Sequence, residues 1–150
     1  MPQESVRSEV DPYKLLRLLE DFTDTHARTV RALNRTLNRL RRDIYNEELQ
    51  SLAFTYLKRL RVLRKRLWSF MEGRIILNNV EAEIRDAIST LSEYVVIVGS
   101  IYEEEVLKKA LILARKGATL LMSDVRNIEK DLDDLHELTR KFQEIVDKYY

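Results

Sequence analysis

Apolar residues recur at steps of three and four along almost the whole chain. That spacing is the 3.6-residue period of an amphipathic helix, and it constrains the fold more than any other feature. The first run passes Leu15, Leu19, Phe22, His26, Val30, Leu33, Leu37, Leu40 and Ile44. Asp11-Pro12 precedes it, an N-cap aspartate followed by proline at N1. The spacing predicts one helix over residues 12–45, about 50 Å long at 1.5 Å per residue. A second run passes Leu49, Leu52, Tyr56, Leu60, Leu63, Leu67 and Phe70, and Gly73 follows as a C′ residue. The connection near Asn46 is weakly marked, so the two runs also read as one bent helix.

A third helix is expected from Asn78, with Glu81 as capping-box partner, burying Val80, Ile84, Ala87, Ile88, Leu91, Val95 and Val98. The β-branched stretch within 95–98 suits a strand in isolation. It has no strand to pair with, so helix is the better reading. Gly99 is expected to break the chain, and Ser100 with Glu103 to form the next capping box. A fourth helix passes Val106, Ala110 and Leu113 to Gly117. That glycine either ends the helix or sits at a close helix contact. Beyond it Leu121, Val125, Ile128, Leu132, Leu135, Thr139, Phe142, Val146 and Tyr149 alternate steps of four and three, a coiled-coil seam.

The fold class that follows is all-α, an elongated bundle of four to five amphipathic helices. One domain over 11–150 is expected behind a loose tail at 1–10. If the last helix overshoots the bundle, its seam (Leu121, Val125, Ile128, Leu132, Leu135, Phe142 and Val146) faces a second copy, giving a homo-oligomer.

Composition narrows the chemistry. The 150 residues hold no cysteine, three glycines and two prolines, and 45% are apolar. Disulfides, thiolate metal sites and a cysteine nucleophile are thereby excluded. So are a disordered chain and a turn-rich β fold. The longest uncharged run, Tyr94 to Tyr102, falls far short of the roughly 20 apolar residues of a membrane span. Residues 1–10 lack a signal-peptide core, so a soluble cytoplasmic protein is expected. Abundant Arg and Glu beside three Gln lean toward a thermophile composition.

Candidate catalytic groups are few. The sequence has no phosphate-binding glycine loop, zinc-protease helix or nucleophile elbow. His26 lies on the apolar period and reads as a core or interface residue. Asp133 and His136 have one half of a di-iron carboxylate motif and no second half. The acidic run Asp131, Asp133, Asp134 and Glu137 reads as a solvated helix face. No catalytic residue, metal or cofactor is expected.

Charge is the informative feature. Residues 28–66 carry twelve basic and three acidic side chains, net +9, inside a chain whose total is +1. Arg28, Arg31, Arg35, Arg39 and Arg42 form one stripe offset by about 200° from the apolar face. Lys58, Arg61, Arg64 and Lys65 continue the basic surface on the second helix, and Arg64 is spaced for a cation–π contact with Trp68. Like charges at helical spacing cost a few tenths of a kcal/mol per pair. A stable bundle absorbs that cost.

Two readings stay open. In one, the stripe docks an acidic protein partner or a polyanion, with nucleic acid as the alternative ligand through phosphate contacts. In the other, the charge is merely solvated, or neutralised by the acidic last helix within the fold or between copies.

The stretch Tyr56–Gly73 resembles the arginine-bearing helix in the all-helical domain of GINS replication-complex subunits. The resemblance covers under a fifth of the chain and rests on Leu/Arg spacing. It implies a place in a replication complex. Family members usually add a small β-rich domain that this sequence has no room for, and the C-terminal half departs from the pattern. No functional residue is carried over from it.

Overall fold

The computed structural model describes residues 11–71 and 79–149. The described chain is all-helical: α1 (Pro12–Arg42), α2 (Glu47–Met71), α3 (Ala82–Glu93), a π-helical segment (Tyr94–Gly99), α4 (Ser100–Arg115), the short α5 (Thr119–Met122) and α6 (Val125–Tyr149). Asp11 caps α1 by accepting the Tyr13 N–H at 2.9 Å, with Pro12 at N1. Asn46 separates α1 from α2, because its Oδ1 accepts the Leu49 N–H at 3.0 Å and so caps the second helix. Buried Gln50 fixes that corner: its amide donates to the Ile44 carbonyl and accepts from the Leu120 N–H, both at 2.9 Å.

The second half departs from the expectation at two glycines. Gly99 does not break the chain: its φ of −62° is helical, and α3 continues through the π segment into α4. Ser100 and Glu103 form no capping box. The Ser100 hydroxyl donates to the Val95 carbonyl at 2.5 Å, and Glu103 is buried in the core. The wider π turn also rotates the following face, so Val98, expected inside, is 52% exposed. The expected start at Asn78 lies outside the described residues. Glu81 stands at the N-cap of α3 without a side-chain capping bond.

Gly117 ends α4. Its φ is +116°, a left-handed conformation that glycine adopts without penalty. Its N–H donates to the Ala114 carbonyl and the next, from Ala118, to Leu113, the Schellman pattern.

Four long rods result. α1 packs on α2 and on α3–α4, and α6 packs on α4, α3 and α2. The core lies in two apolar groups. One holds Val30, Leu37, Leu57, Leu60, Val106, Ala110, Ile128 and Leu135. The other holds Leu15, Leu19, Phe22, Leu67, Ile88, Val95, Leu138 and Phe142.

The heptad seam of α6 is consumed here. Leu121, Ile128, Leu135 and Phe142 are buried within the chain itself, and Val125, Leu132 and Val146 are half-buried. Expecting a second copy on this seam is therefore corrected: α6 does not overshoot the bundle but lies along α2, α3 and α4.

Candidate polyanion-binding face

The basic residues of α1 and α2 divide into two sets with opposite fates. The inward set builds a charged layer between the apolar groups. Each of four helices contributes one residue: His26 from α1, Arg64 from α2, Glu103 from α4 and Asp131 from α6, all at most 5% exposed. His26 Nε2 lies 2.5 Å from Glu103 Oε1, and the histidine ring stacks on Phe22 with centroids 5.0 Å apart. One guanidinium nitrogen of Arg64 donates to Glu103 Oε2 and the other to Asp131 Oδ1 at 2.6 Å. Arg61 donates from Nε to both Asp131 oxygens at 3.0 and 2.9 Å, and from a terminal nitrogen to Asp124 at 2.5 Å.

Burial lifts the Asp131 carboxyl above the usual carboxylate range, against the pull of Arg64 and Arg61. For Arg61, burial works against the charge, but the Asp124 and Asp131 carboxylates outweigh it and raise its pKa.

Arg61 and Arg64 thus do not belong to the outer basic face, where the sequence spacing put them. Their guanidinium groups are held by carboxylates of α4, α6 and the turn before α6. Asp131 likewise leaves the solvated acidic face, while Asp133, Asp134 and Glu137 stay exposed. Trp68 takes its cation–π partner from α6, with Lys141 Nζ 5.8 Å from the ring centroid, rather than from Arg64.

The outward set is the α1 stripe. Arg28, Arg31, Arg35, Arg39 and Arg42 are all exposed. Only Arg28 is paired, with Asp24 at 2.7 Å. Among the described residues Arg31, Arg35, Arg39 and Arg42 make no ion pair. Beside the stripe, α1 and α2 enclose an open groove of about 680 Å³, lined by Thr25, Arg28, Thr29, Arg31, Arg35, Tyr56 and Arg59. A second hollow continues it along α2 past Lys58, Val62 and Arg66. Arg59 lies over the Tyr56 ring at 5.4 Å and Lys58 over Phe54 at 4.6 Å.

Arg59 and Arg66, from the same basic run of six in nine residues as Lys58, Arg61, Arg64 and Lys65, line these hollows. Once Arg64 is known to point inward, helical spacing puts both on the opposite side. Lys65 is exposed but lines a different hollow, of about 450 Å³, between α2 and α6 with Trp68 and Asp134.

His136 is exposed and meets Glu104 at 2.8 Å, not Asp133. Glu104 sits below the usual carboxylate range, chiefly because of that hydrogen bond. Among the described residues no group of three His, Asp or Glu is placed to hold a metal ion, and no helix is long and apolar enough to cross a membrane.

No family model, curated protein or solved structure matches the chain. The resemblance of Tyr56–Gly73 to the GINS helix rests on its Leu/Arg spacing alone.

Proposed function

We propose that this protein is a non-enzymatic helical interaction module that docks a polyanionic partner on the α1 ridge and the groove beside it. One observation carries the reading: four neighbouring arginines, Arg31, Arg35, Arg39 and Arg42, are exposed with no ion pair among the described residues. Asp131 of α6 and Asp124 in the turn before it hold Arg61, and Asp131 also holds Arg64. Apart from the Arg28–Asp24 pair, the α1 ridge has no such compensation among the described residues. A row of uncompensated guanidiniums raises a positive potential and concentrates anions along the helix. Arginine also suits bidentate contact with carboxylate or phosphate.

The test is retention on a heparin matrix and the salt needed for elution. Wild type is expected to elute well above physiological ionic strength, and R31E/R35E/R39E in the flow-through. Equal retention of the two proteins would refute the reading.

A further inference from the structure

We infer that the polyanion is the phosphodiester backbone of a nucleic-acid duplex, bound without reading its sequence; the inference rests on the ridge being a polyanion site. Length is the first argument. From Arg28 to Arg42 the helix advances about 21 Å at 1.5 Å per residue. A duplex carries about twelve phosphates over that rise on its two winding strands, of which a straight ridge faces only a part. Five arginines on the ridge and Arg59 in the groove supply up to six guanidiniums for that part.

The second argument is what the ridge lacks. Protein interfaces are anchored by aromatic or aliphatic side chains buried at their centre. The exposed large apolar residues among those described are Tyr13, Tyr45, Leu52, Val62, Ile97, Val98, Ile101, Ile112 and Met122. None lies between Arg28 and Arg42. Val62 borders the hollow that continues the groove, but the ridge itself presents guanidiniums without an apolar anchor, which suits phosphate better than an acidic protein.

Duplex is favoured over single strand by the state of Tyr56. Single strands are held by stacking bases on open aromatic faces. Tyr56 is half-buried and its face is occupied by Arg59.

Base reading is disfavoured by the state of the two amides flanking the ridge. Asn34 and Asn38 both accept from Lys109, at 2.6 and 3.0 Å, and Asn34 donates to the Tyr102 hydroxyl at 3.3 Å. They are not free to pair with base edges, so the bidentate amide contact that reads adenine is missing beside the ridge.

The experiment is a fluorescence-anisotropy titration of the full chain against a labelled duplex of about 24 base pairs, as DNA and as RNA, over roughly 50 to 200 mM salt. Matched single strands, a scrambled duplex and polyglutamate complete the panel. Affinity for duplex is expected to fall about 10²–10³-fold across that range, as roughly five released counterions require. The scrambled duplex should bind within about threefold of the first. R31E/R35E/R39E should abolish binding while keeping its helical circular dichroism and Tm, and K65E, on another face, should change nothing.

Tighter binding to polyglutamate or to single strands would overturn the inference and leave the polyanion reading standing. Failure to bind any polyanion at low salt would remove both. Duplex binding that survives R31E/R35E/R39E would place the site elsewhere and also overturn the inference.

Discussion

His26 Nε2 lies 2.5 Å from Glu103 Oε1, so α1 and α4 meet at mid-bundle through a polar contact flanked on both sides by aliphatic packing. Arg64 reaches the same carboxylate from α2. Glu103 is therefore the junction of three helices. Its two oxygens are shared between a histidine and a guanidinium, and none of the three side chains is more than marginally exposed.

Removing that junction should be costly. Glu103→Ala leaves Arg64 short of a partner in a dry core, and breaking a buried pair from one side typically costs about 3–5 kcal/mol. At about 2–4 °C per kcal/mol for a chain of this size, Tm should fall by roughly 6–20 °C. The double variant Arg64→Met/Glu103→Leu, which removes charge from both sides, should recover most of the loss. Thermal unfolding followed by circular dichroism reads both, and additive losses would contradict the coupling.

The two arginine sets should separate experimentally. Arg61→Gln removes the donor to Asp124 and Asp131, so it should lower Tm. Arg35→Gln touches no ion pair among the described residues and should leave Tm within the roughly ±0.5 kcal/mol of an ordinary surface change. Heparin retention should respond in the opposite sense, strongly to Arg35→Gln and weakly to Arg61→Gln.

The glycines should also part company. A Cβ at Gly99 would meet His26 Cε1 and Tyr94 Cε1 at 3.5 Å, ordinary contact distance. Gly99→Ala should therefore stabilise the protein by up to about 1 kcal/mol through the reduced entropy of the unfolded chain. Gly117→Ala faces φ +116° and should destabilise by more than that. Denaturant midpoints compare the pair directly.

Acid should dissolve the Glu104–His136 contact. The Glu104 pKa is lowered on folding, so its contribution is present above the unfolded pKa of about 4.3 and disappears as pH falls through the lower folded value. Wild type should exceed Glu104→Gln in stability by a few tenths of a kcal/mol at pH 6, the scale of an exposed pair. The two should converge near pH 3. Urea midpoints at the two pH values test this.

Much of the fold could be read from apolar spacing. On α1 the period held because His26 was kept in it, although buried Thr29 and Thr36 beside the seam were left out. On α2 the buried frame is Gln50, Ala53, Leu57, Leu60, Arg64 and Leu67; apolar spacing finds Leu60 and Leu67 but otherwise selects Leu49, Leu52, Tyr56 and Leu63. On α6 and the turn before it the frame is Asp124, Ile128, Asp131, Leu135, Leu138, Phe142 and Ile145; apolar spacing finds Ile128, Leu135 and Phe142 but otherwise selects Val125, Leu132, Thr139 and Val146. Each error is one residue, or about 100° of rotation. Four of them arise because Gln50, Arg64, Asp124 and Asp131 hold core positions that only partners on other elements make tolerable; at Ala53, Leu57, Leu138 and Ile145 the buried residue is the apolar neighbour of the one selected. The π segment was invisible because a single extra residue in the turn leaves no compositional mark.

The charged layer also fixes how the rods align lengthwise. Leucine seams are nearly self-similar after a shift of one heptad, so aliphatic contacts alone would tolerate helices slid past one another. Here a slide of two turns, about 11 Å, would set Asp131 among leucines and leave two guanidiniums stranded. The interior therefore has a single energetically acceptable alignment, like a key cut at one depth. The height of the α1 arginines relative to the groove on α2 is set from inside the molecule.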